Sequence, residues 1–438
     1  MHALLTIAYA ILFAALIWRW HFFKLTGINR KWMTALFVLK IAAGILLWAV
    51  YNYHYDFRSD TFIYFDDAMV IRNLWFEDRD AFWSFFWGVG TDDPSYAFVH
   101  DRLNTWTRNY NYGLTYDGPT IVRINLIISL FSFGYYHVHT VVMCFISLIG
   151  LTAIYKTFQH GFQQREMYLF IACFFIPSVV FWSSGVLKEA PLIMAVGLLI
   201  YSVFKLINNI KQPLIWFIFF SSAFLMVFLK EYVLMSLLPA LISVLVSAIL
   251  SYRYVLLTFL SVHVICFLVA LNASFFFIGG DFLYVLQKKQ TDFYNVTQLV
   301  NAQSGIEKID INDHLQLTLG YPRALANTYL RPHIMEIKTP FYVPVAIENF
   351  FFLILLIIPI FKFRKLQKKH MILFLFCLSF VLVIGGIIGY TVPILGAVIR
   401  YKIIALPFLA IVCAMLIRPS SWSGVVLKSN DSKKPEEQ

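Results

Sequence analysis

Residues 371–390 read M-I-L-F-L-F-C-L-S-F-V-L-V-I-G-G-I-I-G-Y, twenty positions without a charged side chain. A helix of about 20 apolar residues crosses the hydrocarbon core of a bilayer. Lipid offers no partner to backbone N–H and C=O groups, so such a run must be helical to satisfy them internally. Working outward, similar runs fall at about 3–18, 32–51, 137–157, 167–182, 190–206, 214–229, 232–250, 254–278, 344–361 and 401–417. With 371–390 they make roughly eleven spans by length. The segment Pro119 to Phe133 is shorter and carries Arg123 and Asn125, which predicts a half-span or an in-plane helix.

Composition points the same way. The chain has 438 residues, 60% hydrophobic and 13% charged, well under the ~25% charged of a soluble domain. The expected fold is all-α: a polytopic helical membrane protein with a single integral-membrane domain over 1–417 and a polar, disordered cytoplasmic tail over 418–438. The first run lacks a basic n-region and a small-residue cleavage site, so it is expected to be a retained span or signal anchor. The net charge of +11 sits in short loops between apolar runs, which makes it a topology signal and excludes a nucleic-acid reading. Cys144, Cys173, Cys266, Cys377 and Cys413 all lie in apolar runs without ligand spacing, so neither disulfides nor a zinc site is expected.

Basic residues set the orientation. Arg19, Lys24, Arg30, Lys31, Lys156, Arg165, Lys205, Lys211, Arg253 and the group Lys362–Lys369 fall on one side, which the positive-inside rule makes cytoplasmic. The N-terminus is then outside and the C-terminus inside. Two large extracytoplasmic loops, about 52–118 and 279–343, hold 17 of the 24 acidic residues, and that makes the outer face the expected working surface. In the first loop, Leu74 to Trp87 combines aromatic bulk with a few charges, as a short interfacial helix would, although a helix packed on the spans fits equally well. No internal repeat of the inverted-transporter kind is visible.

Within the first loop, S-D-T-F-I-Y-F-D-D-A (59–68) places carboxylates beside a span. On a helix, Asp56, Asp60, Tyr64 and Asp67 share one face while Asp66 points elsewhere. Clustered carboxylates need a cation nearby, from a metal ion, a distant Lys or Arg, or a substrate; a solvated acidic turn is the plain alternative. I-P-S-V-V-F-W-S-S-G-V-L-K-E-A-P (176–191) breaks two apolar runs. Lys188 and Glu189 are adjacent and cannot face each other on a helix, so each needs a partner elsewhere. Ser183, Ser184 and Lys188 at a helix start suit an anion such as phosphate; a snorkelling lysine is the alternative. Lys230 and Glu231 repeat the pair more weakly. Arg400, Tyr401 and Lys402 stand at the outer entry of the last run, where arginine suits an oxyanion. Tyr321, Arg323, Arg331 and His333 in the second loop are further candidates, against a basic folded loop. His137 and His139 suit packing better than metal binding.

These pieces together resemble the GT-C superfamily of integral-membrane glycosyltransferases, of the protein-mannosyltransferase and arabinose-transferase kind. The acidic stretch 59–68 is similar to its first-loop motif. Asp117-Gly-Pro-Thr leading to Phe133-Gly134, the proline-led stretch 177–190, and R-Y-K-I-I-A-L-P (400–407) resemble bacterial members. The chain departs from the pattern in an additional span ahead of the acidic loop and in the lack of a clear Asp-x-Asp or Asp-Glu pair.

The resemblance implies an enzyme of the bacterial inner membrane. It would move a sugar, with inversion, from a polyprenyl-phosphate-linked donor to a glycan, lipid or protein acceptor at the outer face. On this reading Asp60 serves as general base, Asp66 or Asp67 supports it, and Asp60 with Asp67 is the expected pair for a divalent cation, Mg2+ or Mn2+. Lys188 and Arg400 offset charge on the leaving phosphate, with Glu189, Tyr401, Ser184, Lys230, Arg331 and Tyr64 as the other expected substrate contacts. A polymerase or ligase of lipid-linked polysaccharide repeat units is the nearest alternative, followed by a polysaccharide or lipid transporter and a non-catalytic scaffold.

Overall fold

Helices form where the apolar runs fall, and the departures from that rule locate the site. The computed structural model describes residues 2–53, 59–106, 117–250, 252–275, 281–299, 305–337, 339–361, 364 and 366–417. Asp56 and the tail 418–438 lie outside the described residues. Among the described residues the architecture is all-α, with one isolated bridge between Gly305 and Ile394.

The chain opens with α1 (His2–Arg19) and α2 (Arg30–Tyr53), then α3 (Asp60–Glu77), α4 (Arg79–Trp87), α5 (Ala97–His100), α6 (Gly118–Ser132) and α7 (Tyr136–Phe158). Next come α8 (Glu166–Phe174), α9 (Pro177–Trp182), α10 (Glu189–Asn208), α11 (Pro213–Ile249) and α12 (Val255–Leu271). The rest is α13 (Phe282–Leu299), α14 (His314–Tyr329), α15 (Val343–Phe361), α16 (Lys368–Thr391), α17 (Leu395–Tyr401) and α18 (Leu406–Leu416).

Among the described residues, six helices are long and apolar enough to cross a membrane, and the bent pair 395–404 and 406–416, with a 61° angle, makes a seventh if it is one span. The count differs from eleven for local reasons. Pro177, which cannot donate to a helical ladder, splits the fourth run into α8 and α9, each too short to cross. The sixth and seventh runs join in α11, interrupted only at Lys230, whose backbone is extended (φ −159°, ψ 85°). The first and eighth runs form shorter apolar helices.

The bundle core centres on α7, α10, α11, α16 and α18. One close approach is glycine on glycine: a Cβ on Gly197 would lie 2.2 Å from the Gly150 carbonyl oxygen, so α7 and α10 meet backbone to backbone. A second apolar cluster joins α3, α4 and α6 to α7 through Ile71, Leu74, Phe85, Ile121, Leu126 and Met143. In α4, Ala81, Phe82 and Phe85 are buried in this cluster while Trp83 and Trp87 are exposed, so the segment packs on the bundle and also presents an aromatic face. The second loop is helical too. There α14 lies on α16, where Gly385 and Gly389 make room for Tyr329 and the Ala324 backbone.

Candidate functional site

Two apolar runs break at the place where charge is tolerated. The breaks at 175–176 and 402–405 lie beside each other, with α8 packed on α18 and α9 on the turn after α17. Irregular backbone inside a membrane protein persists where it is enclosed by protein or lines a cavity. Onto this zone converge the N-termini of α3, α6 and α10, the Lys230 break and the end of α17.

Arg400 is the centre. Its Nη1 donates to Asp60 Oδ2 at 2.6 Å and its Nε to Glu189 Oε1 at 2.5 Å. Asp60 is the first residue of α3, and its side chain is 37% exposed, against 2% for Glu189. The two carboxylates thus share one buried guanidinium, but only Asp60 faces an approach. Lys188, at the start of α10, reaches Asp117 Oδ1 at 2.8 Å and stands 4.8 Å above the Tyr64 ring. Lys230 lies 4.0 Å from Asp117 Oδ2 and 3.8 Å above the Tyr401 ring. Lys188 and Glu189 therefore do find separate partners, just before α6 and on α17. Asp60, Lys188, Glu189, Lys230, Arg400, Tyr64 and Tyr401, from four separate stretches of the sequence, all belong to one constellation.

Other expected residues are placed differently. Asp67 is fully buried, and both its oxygens accept from the loop: Oδ1 from Asn104 N at 2.9 Å and Nδ2 at 3.0 Å, Oδ2 from Thr105 N at 2.8 Å and Oγ1 at 2.6 Å. It fastens residues 104–105 to α3. Asp66 is largely exposed; partial burial of its carboxyl and the neighbouring Asp67 push its pKa up. Ser184 turns back to donate to Val180 O at 2.5 Å, away from the charged group. The Arg331 guanidinium is held by Glu336, with Nε to Oε1 at 2.6 Å, and only its backbone carbonyl reaches the zone, accepting from Lys402 at 3.1 Å. Tyr321 donates to Leu382 O and Arg323 pairs with Glu307 on the surface. His333 contacts Glu336. His139 bonds Ser132 and Asn125 at 2.8 Å each, and His137 packs on Trp48.

The fit to a divalent cation is poor. Asp60 is engaged by Arg400 and Asp67 by the loop, and among the described residues no three His, Cys, Asp or Glu side chains group as ligands.

Sequence reasoning gave four members of the zone no role of their own. Asp117 served there only as part of a motif. Lys402, buried, donates to Asn349 Oδ1 at 2.7 Å, and Glu348 accepts from Ser178 N at 2.8 Å and Oγ at 2.5 Å. Lys40, buried within α2, donates to Ser183 Oγ at 2.6 Å. An ionisable residue inside an apolar run was the available signal for Lys40 and Glu348.

No family model, no curated protein and no solved structure matches this chain.

Proposed function

We propose that this chain is an integral-membrane glycosyltransferase of the GT-C type. Its donor is a sugar on polyprenyl phosphate, its acceptor a glycan, lipid or protein, and its site the extracytoplasmic face of a bacterial inner membrane. The observation that carries the reading is the Asp60–Arg400–Glu189 group, set with Lys188 and Lys230 where two spans break.

In the transfer step the acceptor hydroxyl oxygen bonds to the anomeric carbon and its proton passes to Asp60, the more exposed carboxylate. The bond from that carbon to the phosphate oxygen breaks, and the electron pair leaves with the lipid phosphate. Lys188 and Arg400 offset the growing negative charge, and Arg400 holds Asp60 in place. Because the carboxylate oxygens named above are already engaged, no step is routed through a metal.

On this reading α1, α12, the α8–α9 pair and each limb of α11 also count as crossings, the site end faces outward and the exposed Trp83 and Trp87 sit at the lipid headgroups. The Asp60→Asn protein, reconstituted with a polyprenyl-phosphate sugar, should still fold and lose transfer by about 100-fold or more, the range of a general base. Near-normal turnover would remove Asp60 from the mechanism. A ladder of repeat units in place of one added sugar would support a polymerase. The paired broken spans also favour a transporter as second reading, since transporters bind cargo at such breaks; glycolipid flux through proteoliposomes without transfer decides for it.

A further inference from the structure

Asp117 stands before two buried lysines. Its carboxylate lies 2.8 Å from Lys188 Nζ and 4.0 Å from Lys230 Nζ, and the side chains are 28%, 5% and 9% exposed respectively, so the acid covers the lysines from the open side. The acids next in sequence do not neutralise these cations: Glu189 goes to Arg400 and Glu231 pairs with Lys289 at 2.8 Å. The ring faces of Tyr64 and Tyr401 back the two ammonium groups. Two positive charges thus converge on one carboxylate from separate helices, α10 and the break in α11. Like charges so placed are stable only with an anion between them.

We propose that Lys188 and Lys230 form a clasp for a phosphomonoester dianion, and that Asp117 occupies it in the resting protein and leaves when phosphate enters. A phosphomonoester carries about −1.5 to −2 at pH 7 and so balances two ammonium groups more fully than a carboxylate or a phosphodiester. The anion site stands on the geometry alone; its use in transfer rests on the function proposed above. A sugar-phosphate diester gains its second charge as the sugar–oxygen bond breaks, so the clasp would hold the leaving lipid phosphate more strongly than the intact donor.

Binding to full-length protein in detergent tests this with inorganic phosphate, farnesyl phosphate and a farnesyl phosphodiester as probes. Farnesyl phosphate should bind about tenfold tighter than its diester, and Asp117→Asn should tighten phosphomonoester binding by a similar factor, equivalent to one charge-assisted bond. Lys188→Gln and Lys230→Gln should each weaken it about tenfold by the same reasoning. Equal affinity for inorganic and farnesyl phosphate identifies a soluble anion as the source, tighter farnesyl binding a lipid-borne one, and both support the clasp. Folded Asp117→Asn protein that binds no tighter than wild type overturns the proposal. If that variant does not fold, unchanged binding in Lys230→Gln overturns it. Phosphate binding without sugar transfer leaves the clasp standing and removes the transferase reading; transfer without the clasp does the reverse.

Discussion

Arg400 and Asp60 are 340 positions apart in the chain and 2.6 Å apart in the fold. Arg400 also holds the buried Glu189, so removing it strands two carboxylates. Breaking a buried ion pair from one side costs about 3–5 kcal/mol. Arg400→Met should therefore lower the melting temperature clearly, and the double variant Arg400→Met/Glu189→Met should recover part of the loss. A double variant no more stable than the single one would mean that the pair is not coupled.

Asp67 has a different task from Asp60, although both lie on one face of α3. Its four accepted bonds hold residues 104–105, and charge-assisted bonds contribute roughly 1.5–3 kcal/mol each. Asp67→Ala should speed amide hydrogen exchange at Asn104 and Thr105 while leaving phosphate binding measurable. Unchanged exchange at those amides would refute this role.

The contact of α7 with α10 depends on two glycines. Because a Cβ on Gly197 meets the Gly150 carbonyl oxygen at 2.2 Å, Gly197→Val must push the helices apart. Loss of monodisperse, folded protein in detergent is expected, whereas Gly90→Ala meets no atom within 4 Å. Because Gly90 has a positive φ of 71°, a small loss of stability there is expected from backbone strain alone.

Acid should loosen the loop after α14. The Glu336 carboxyl is held below the usual range: burial, which pushes it up, is outweighed by hydrogen bonds from Arg331 and the His333 amide. Its folded pKa is thus below its unfolded one, near ~4.3. The stability it contributes is complete above that value and is lost as pH falls through the lower folded value. Melting curves between pH 6 and pH 3 should slope downward for the wild type and less steeply for Glu336→Gln; parallel slopes would remove the Arg331–Glu336 pair as the cause.

Much of the class was legible without any structure. The run 371–390 and the scarcity of charge demand helices in a membrane, because a backbone in lipid must satisfy itself within each segment. The alternation of basic loops led to the expectation that Asp60, Lys188 and Arg400 share one face, and the fold brings Asp60 to Arg400 and Lys188 to Tyr64 on the same helix as Asp60. That Lys188 and Glu189 part company was equally readable, from the angular spacing of adjacent helical positions.

Hydropathy and spacing are local quantities, summed over a window of neighbours, whereas an ion pair across the fold is a contact between segments that meet only when the bundle packs. Tertiary structure alone therefore decided that Arg400 bridges Asp60 and Glu189, that Asp117 covers Lys188 and Lys230, and that Asp67 fastens a loop. It also decided that the break after α8 lies against the bend that follows Arg400. Each of those breaks is paid for by the neighbour that packs against it, and no single segment of the sequence carries that information.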